Sequence, residues 1–129
     1  MNLDAARALN KHAVSQLVAV FEDTRPAAAV QRAQILADLG PPSARVIGIT
    51  GTPGAGKSSL VARLVPAMLA DSDLSVAVLA VDPASHVSGG ALLGDRTRTR
   101  FATGEKRSYF RSQSNAAELG GLAPTTFQV

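Results

Sequence analysis

The run Gly51-Thr52-Pro53-Gly54-Ala55-Gly56-Lys57-Ser58 fits G-x-x-x-x-G-K-[ST] at every specified position. A loop of this kind works only between a strand and a helix, so it directs the chain toward an α/β fold. Glycine at 51, 54 and 56 lets the backbone curl with its N–H groups aimed inward, where side chains would block the approach of phosphate oxygens. Lys57 then meets the β- and γ-phosphates of a nucleoside triphosphate, and Ser58 supplies a hydroxyl to Mg²⁺. The helix that starts near Lys57 points its positive end at the same anion.

The flanks fit that requirement. Arg45-Val46-Ile47-Gly48-Ile49-Thr50 is a short β-branched apolar run, which predicts a buried parallel strand. Downstream, Leu60, Val61, Leu64, Val65, Met68 and Leu69 recur at three- and four-residue spacing, the mark of one helix face. Pro66 falls inside that helix, which should bend there or end soon after. Asp71-Ser72-Asp73 reads as a turn, and Leu74 to Val81 as a second strand buried on both faces. Strand, helix and strand make a βαβ unit with a right-handed crossover and its ligand at the carboxyl ends of the strands. Ser108-Tyr109-Phe110 is a possible third strand.

Two helices precede this unit. Ala6, Leu9, Ala13, Leu17, Val20 and Phe21 share one side of a single amphipathic helix over about 4–22, with Asp4 available as N-cap. A second helix starts after Arg25-Pro26 and ends near Leu39-Gly40, ahead of Pro41-Pro42. The expected division is a helical N-terminal extension, 1–42, followed by a partial P-loop domain, 43–129.

Composition removes several function classes. The 129 residues include no cysteine, which excludes disulfides, Cys-based metal sites and thiol redox chemistry. No stretch approaches about 18 consecutive apolar residues, and Met1-Asn2-Leu3-Asp4 does not begin a secretory signal, so the cytoplasm is the expected location and no membrane partner is expected. His12 and His86 are isolated and suggest no zinc site. The net charge is +3. Six of the 13 basic residues, Arg96, Arg98, Arg100, Lys106, Arg107 and Arg111, fall in one short stretch, and the chain has one Tyr and four Phe for stacking bases. A nucleic-acid partner is therefore not expected.

Asp82 directly follows the second predicted strand, which puts it at the sheet end of the phosphate loop, within reach of a metal or an attacking water; an Asp-Pro turn is the structural alternative. The segment Ser88-Gly89-Gly90-Ala91-Leu92-Leu93-Gly94-Asp95-Arg96-Thr97-Arg98 reads either as a mobile switch segment or as a solvated surface loop.

Three blocks in order, Gly51 to Leu60, Val78-Leu79-Ala80-Val81-Asp82-Pro83-Ala84-Ser85, and Ser88 to Arg98, resemble the MeaB/ArgK family of P-loop G proteins. The Gly120-Gly121 region and the helical N-terminus resemble it too. The resemblance implies GTP and Mg²⁺ as cofactors and slow GTP hydrolysis. It implies a chaperone role toward an adenosylcobalamin-dependent acyl-CoA mutase of the methylmalonyl-CoA mutase type, and a homodimer. Carried over by position, Gly51, Thr52, Pro53, Gly54, Ala55, Gly56, Lys57, Ser58 and Ser59 hold the nucleotide, Ser58, Asp82 and Asp95 serve the metal, and Lys57, Asp82 and Asp95 are the catalytic set.

The sequence departs from the family after this point. It carries neither a Walker-B acidic residue with D-x-x-G nor N-K-x-D, the motif whose Asp selects guanine, and Thr99-Arg100-Phe101 replaces the family's usual Met after Thr-Arg. The chain is accordingly expected to be an N-terminal portion, truncated ahead of further strands and a dimerisation region. Two alternatives stay open: a nucleotide-binding protein without turnover, and a P-loop kinase linked to basic amino-acid transport.

Overall fold

The computed structural model describes residues 2–71, 73–83 and 105–115. In chain order the elements are α1 (Leu3–Arg7), α2 (Lys11–Glu22), α3 (Pro26–Leu39), α4 (Lys57–Asp71), β1 (Val76–Pro83) and β2 (Ser108–Asn115). The described residues up to Ile47 form one compact unit and those from Gly48 a second.

In the first unit, the single helix expected over 4–22 is broken. Asn2, not Asp4, caps α1: its side chain accepts from the Ala5 N–H at 2.9 Å, while Asp4 lies in the first turn and pairs with Arg7 at 3.4 Å. The helix then closes in a Schellman turn, with the Leu9 N–H on the Ala6 carbonyl at 2.9 Å and the Asn10 N–H on the Ala5 carbonyl at 3.0 Å. This puts Leu9 in the left-handed region at φ 61°, a conformation that costs a residue with a Cβ about 1–2 kcal/mol. Asn10 restarts the chain as N-cap of α2, its side-chain oxygen accepting from the N–H groups of His12 at 3.0 Å and Ala13 at 3.1 Å. Two otherwise orphaned donors are satisfied at once, which is why Asn stops the helix here although the apolar spacing runs through it.

The second helix forms as the sequence predicts, with Pro26 in its first turn and Gly40 leaving it at φ 77°. It packs on α2, and Ala13, Val18, Phe21, Ala28 and Ile35 are buried in this unit. Asp23 ties the α2–α3 link. Its carboxylate accepts from the Arg25 guanidinium at 2.6 and 2.9 Å and from the Arg25 N–H at 3.0 Å, while its carbonyl accepts from Arg32 Nη1.

In the second unit, α4 buries Val65, 3% exposed, yet leaves Leu60 54% exposed, so its apolar face is narrower than the spacing suggests. Pro66 lies inside α4, which continues to Asp71. Strands β1 and β2 pair in parallel, from Val76 opposite Ser108 to Pro83 opposite Asn115. The strand predicted at Leu74–Val81 is thus shifted two residues onward: Leu74 stays outside and exposed, and Asp82 is inside the strand instead of after it. Nor is β1 buried on both faces. Its residues from Val76 to Val81 are half-buried, with Ala77 exposed, because the described sheet has two strands and offers limited cover.

The strand predicted at 45–50 does not form, and Val46 and Ile47 are 91% and 60% exposed. A strand persists only through its ladder, and among the described residues this segment has no ladder partner. The expected βαβ unit is therefore represented by α4 and a parallel strand pair made with β2, which extends the short strand suggested at 108–110.

One side chain joins the pieces of this unit. Arg107 Nη2 donates to the Leu69 carbonyl in the last turn of α4 at 3.0 Å, and the Arg107 carbonyl accepts from the Val76 N–H at 2.8 Å where β1 begins. Glu105 holds the guanidinium from the other side at 3.2 Å. The contact satisfies one of the carbonyls that a helix leaves unpaired at its end.

The hydrogen bonds from the Arg25 side chain and backbone hold the Asp23 carboxyl down to about 2 from an ordinary 3.8. A carboxyl depressed in the folded state stabilises it above the unfolded value and loses that contribution as pH falls through the folded one. Asp23→Asn is therefore expected to flatten part of the stability loss between pH 3.8 and about 2, as read from thermal unfolding against pH, and to leave the profile above pH 5 parallel to that of the native chain.

Candidate functional site

The segment 51–59 is a sequence of tight turns leading into a helix. Thr52-Pro53-Gly54-Ala55 closes a β-turn, with the Ala55 N–H on the Thr52 carbonyl at 3.2 Å and Gly54 at φ 79°. Proline at the second position and a positive-φ glycine at the third are the requirements of a type II turn. Gly56, at φ 90°, then swings the chain into α4, and its carbonyl accepts the first helical bond from the Leu60 N–H at 2.9 Å. A Cβ at Gly54 or Gly56 would meet nothing within 4 Å, so glycine is demanded at both by backbone conformation and not by crowding.

Lys57 folds back over this turn. Its ammonium donates to the carbonyls of Gly51 at 2.7 Å and Thr52 at 2.9 Å, which commits two of its three donors and leaves the group above the loop with one to offer. Both Lys57 and Ser58 are half-buried, and no acidic residue lies in the first turn of α4. By helix geometry the N–H groups of Lys57, Ser58 and Ser59 have no partner within α4. The loop thus joins a fixed cation, helix-end donors and a helix dipole with no carboxylate in the helix's own first turn, an arrangement that attracts a multiply charged anion.

Asp82 is placed by topology. From the loop, α4 runs for 15 residues, about 22 Å, and β1 returns for eight, about 26 Å, after a short reversal. The two runs are of similar length, and α4 packs on β1. Asp82 stands at the carboxyl end of β1, opposite Ser114 in the ladder. Asp95, together with the glycine-rich segment Ser88–Arg98 and His86, lies outside the described residues. Among those described, no cluster of three His, Cys, Asp or Glu could hold a metal ion. Charge spacing groups Arg107 with a run of basic residues and does not signal its structural role, the bond to a helix-end carbonyl.

Known proteins place this loop in context. The sequence model of the family described as methylmalonyl-CoA mutase-associated GTPase MeaB matches residues 14–129. A Pyrococcus horikoshii protein with GTPase in its name is 38% identical over 117 residues, 91% of this chain and 36% of the relative. A similarly named Mycobacterium tuberculosis protein is 38% identical over 124 residues, 95% of this chain and 37% of the relative. The mouse methylmalonic aciduria type A homolog, mitochondrial, is 41% identical over 98 residues, 76% of this chain and 23% of the relative. The matched stretch is thus little more than a third of the two microbial relatives and about a quarter of the mouse protein.

Gly56→Ala is expected to lower the unfolding free energy of the second unit by about 1–2 kcal/mol, the cost of forcing a Cβ into positive φ. Urea unfolding followed by amide signals from α4 measures it, and an unchanged midpoint would mean that the loop relaxes freely out of the observed turn.

Proposed function

The chain belongs to the MeaB family of methylmalonyl-CoA mutase-associated GTPases, and on that premise we propose that it provides the triphosphate grip of a GTP-hydrolysing chaperone for an adenosylcobalamin-dependent acyl-CoA mutase. The observation that carries this reading is the position of Lys57, whose ammonium is held over the glycine turn by two loop carbonyls. In that position its remaining donor meets β- and γ-phosphate oxygens, while the N–H groups at the start of α4 receive the rest of the negative charge. Gly51, Thr52, Pro53, Gly54, Ala55 and Gly56 form the cradle, and Ser58 and Ser59 complete its helical side.

The residues present fit Mg²⁺ held through a nucleotide. This ion keeps several waters and commonly takes few protein ligands besides phosphate oxygens, so the absence of a carboxylate cluster among the described residues does not oppose it. Ser58, at the second position of α4, would supply the hydroxyl ligand, with Asp82 and Asp95 as acidic partners on the metal side. When bound, the ion offsets charge that develops on the phosphates. Asp82 owes its place in this scheme to its position at the carboxyl end of β1. In the same reading the protein works in the cytoplasm beside its mutase and pairs as a homodimer. No helix among the described residues is long and apolar enough to cross a membrane.

Isothermal calorimetry with GTP and Mg²⁺ on the native chain and Lys57→Ala tests the grip. Binding is expected to fall at least tenfold in the variant, about 1.4 kcal/mol, with an unchanged circular dichroism spectrum, since Lys57 is bonded to the loop and not to the core. Equal affinity in both proteins would remove the assignment.

Base selection is the second measurable consequence. The 129 residues contain no N-K-x-D, and strong discrimination requires polar groups that the wrong base leaves unpaired. This chain is expected to prefer GTP over ATP by less than about tenfold, roughly 1.4 kcal/mol. Displacement of labelled GTP by unlabelled ATP checks this, and a large preference would reveal a base-reading element elsewhere in the chain.

A further inference from the structure

The break between α1 and α2 sets local preference against tertiary capping. Ala8-Leu9-Asn10 contains neither Gly nor Pro, and Ala and Leu are among the best helix formers. The spacing of Ala6, Leu9, Ala13, Leu17 and Val20 stays in phase for one uninterrupted helix. Yet Leu9 occupies the left-handed position at which a Schellman turn ordinarily carries glycine, and it is the one non-glycine residue with positive φ among those described. Three contacts hold the break: the paired bonds from the Leu9 and Asn10 N–H groups, the double cap by Asn10, and the bond from Arg7 Nη2 to the Asp38 carbonyl at the end of α3, 3.0 Å long.

Each favourable term on one side has an opponent on the other. Straightening would release the strain at Leu9 and restore helical hydrogen bonding through residues 8–10, but it would surrender the cap and the Arg7–Asp38 bond. It would also carry α1 away along the α2 axis and dismantle the open recess of about 830 Å³ lined by Asn2, Leu3, Asp4, Arg7, Gln16 and Asp38. We propose that α1 is a strap with two states, folded back against the end of α3 as observed and continuous with α2, and that Leu9 and Asn10 set the balance between them. This device is independent of nucleotide: it belongs to the first unit and uses none of the loop residues.

The chain has no cysteine, so spin labels can be placed without removing any native residue of that type. Labels at Asp4→Cys and Gln34→Cys report the α1–α3 distance, and Cα chemical shifts report the conformation of Ala8, Leu9 and Asn10. Adding Asn10→Ala is expected to raise the population with a long label distance by about fivefold, with helical shifts at 8–10, because one N-cap is lost. Adding Leu9→Gly is expected to lower that population by on the order of tenfold, since glycine adopts the left-handed position without strain. The strap is overturned if all three proteins give one identical short distance, or if Asn10→Ala leaves residues 8–10 non-helical while α1 frays. Because Leu9→Gly should tighten the observed state, its result decides the matter even where Asn10→Ala is poorly folded.

Discussion

The second unit depends on the junction that Arg107 makes. A helix and a returning strand of similar length are held in a fixed relation only if the reversal between them is pinned. Arg107 pins it with two bonds of different kinds: its guanidinium holds the Leu69 carbonyl and its own carbonyl receives the Val76 N–H. The first satisfies a helix end and places a cation where the helix dipole favours one. The second aligns the start of β1 with that of β2, so the whole register from Val76–Ser108 to Pro83–Asn115 follows from it. The position of Asp82 in the ladder is therefore set from the opposite end of β1, where the strand begins.

The turn over residues 52–56 was legible in the sequence because its determinants are local. A type II turn needs proline and a positive-φ glycine in successive positions, a helix start needs a residue able to turn the chain, and Pro53, Gly54 and Gly56 supply these within one short run. The helix that follows and α3, with its proline start and glycine stop, were legible for the same reason. The preceding segment was not. Val46, Ile47 and Ile49 have the composition of a central strand, but a strand is a relation between two segments, and composition describes one of them. With no ladder partner among the described residues, these side chains remain largely exposed. The same gap explains why β1 is half-buried where an apolar run suggested full burial: Val78 and Val81 suit a covered sheet, and two described strands supply little cover.

In the first unit the sequence misled in a different way. Apolar spacing reports which side of a helix faces a neighbour, and it carries no information about whether the helix is continuous. Asn2 and Asn10 decide that, through side-chain oxygens that compete with helical bonding, and Asn10 prevails even at the expense of a left-handed leucine. Asp4, the more conventional candidate for a cap, lies two residues too late and is used instead to steady Arg7. The Asp23–Arg25–Arg32 tie was equally hidden, since it joins a C-terminal residue, a link and a helix interior whose proximity exists only after α2 and α3 have packed.

These contrasts bear on how the loop meets an anion. The geometry that holds Lys57 is made from carbonyls inside the loop, so it does not wait for the ligand to orient the ammonium. A free lysine side chain would surrender rotamer freedom on binding, whereas this one has surrendered it already, and the electrostatic gain is correspondingly less offset. The glycine turns make the same contribution to the backbone. Their strained-looking angles are cheap for glycine, so the N–H groups at the start of α4 are presented without a folding step at the moment of association. The proposed grip on phosphate is thus a property of a few consecutive residues, while the ladder position of Asp82 is a property of the sheet. The proposed triphosphate grip and the proposed metal-side role of Asp82 consequently depend on different parts of the fold, and a change at Arg107 would disturb the second while leaving the first in place.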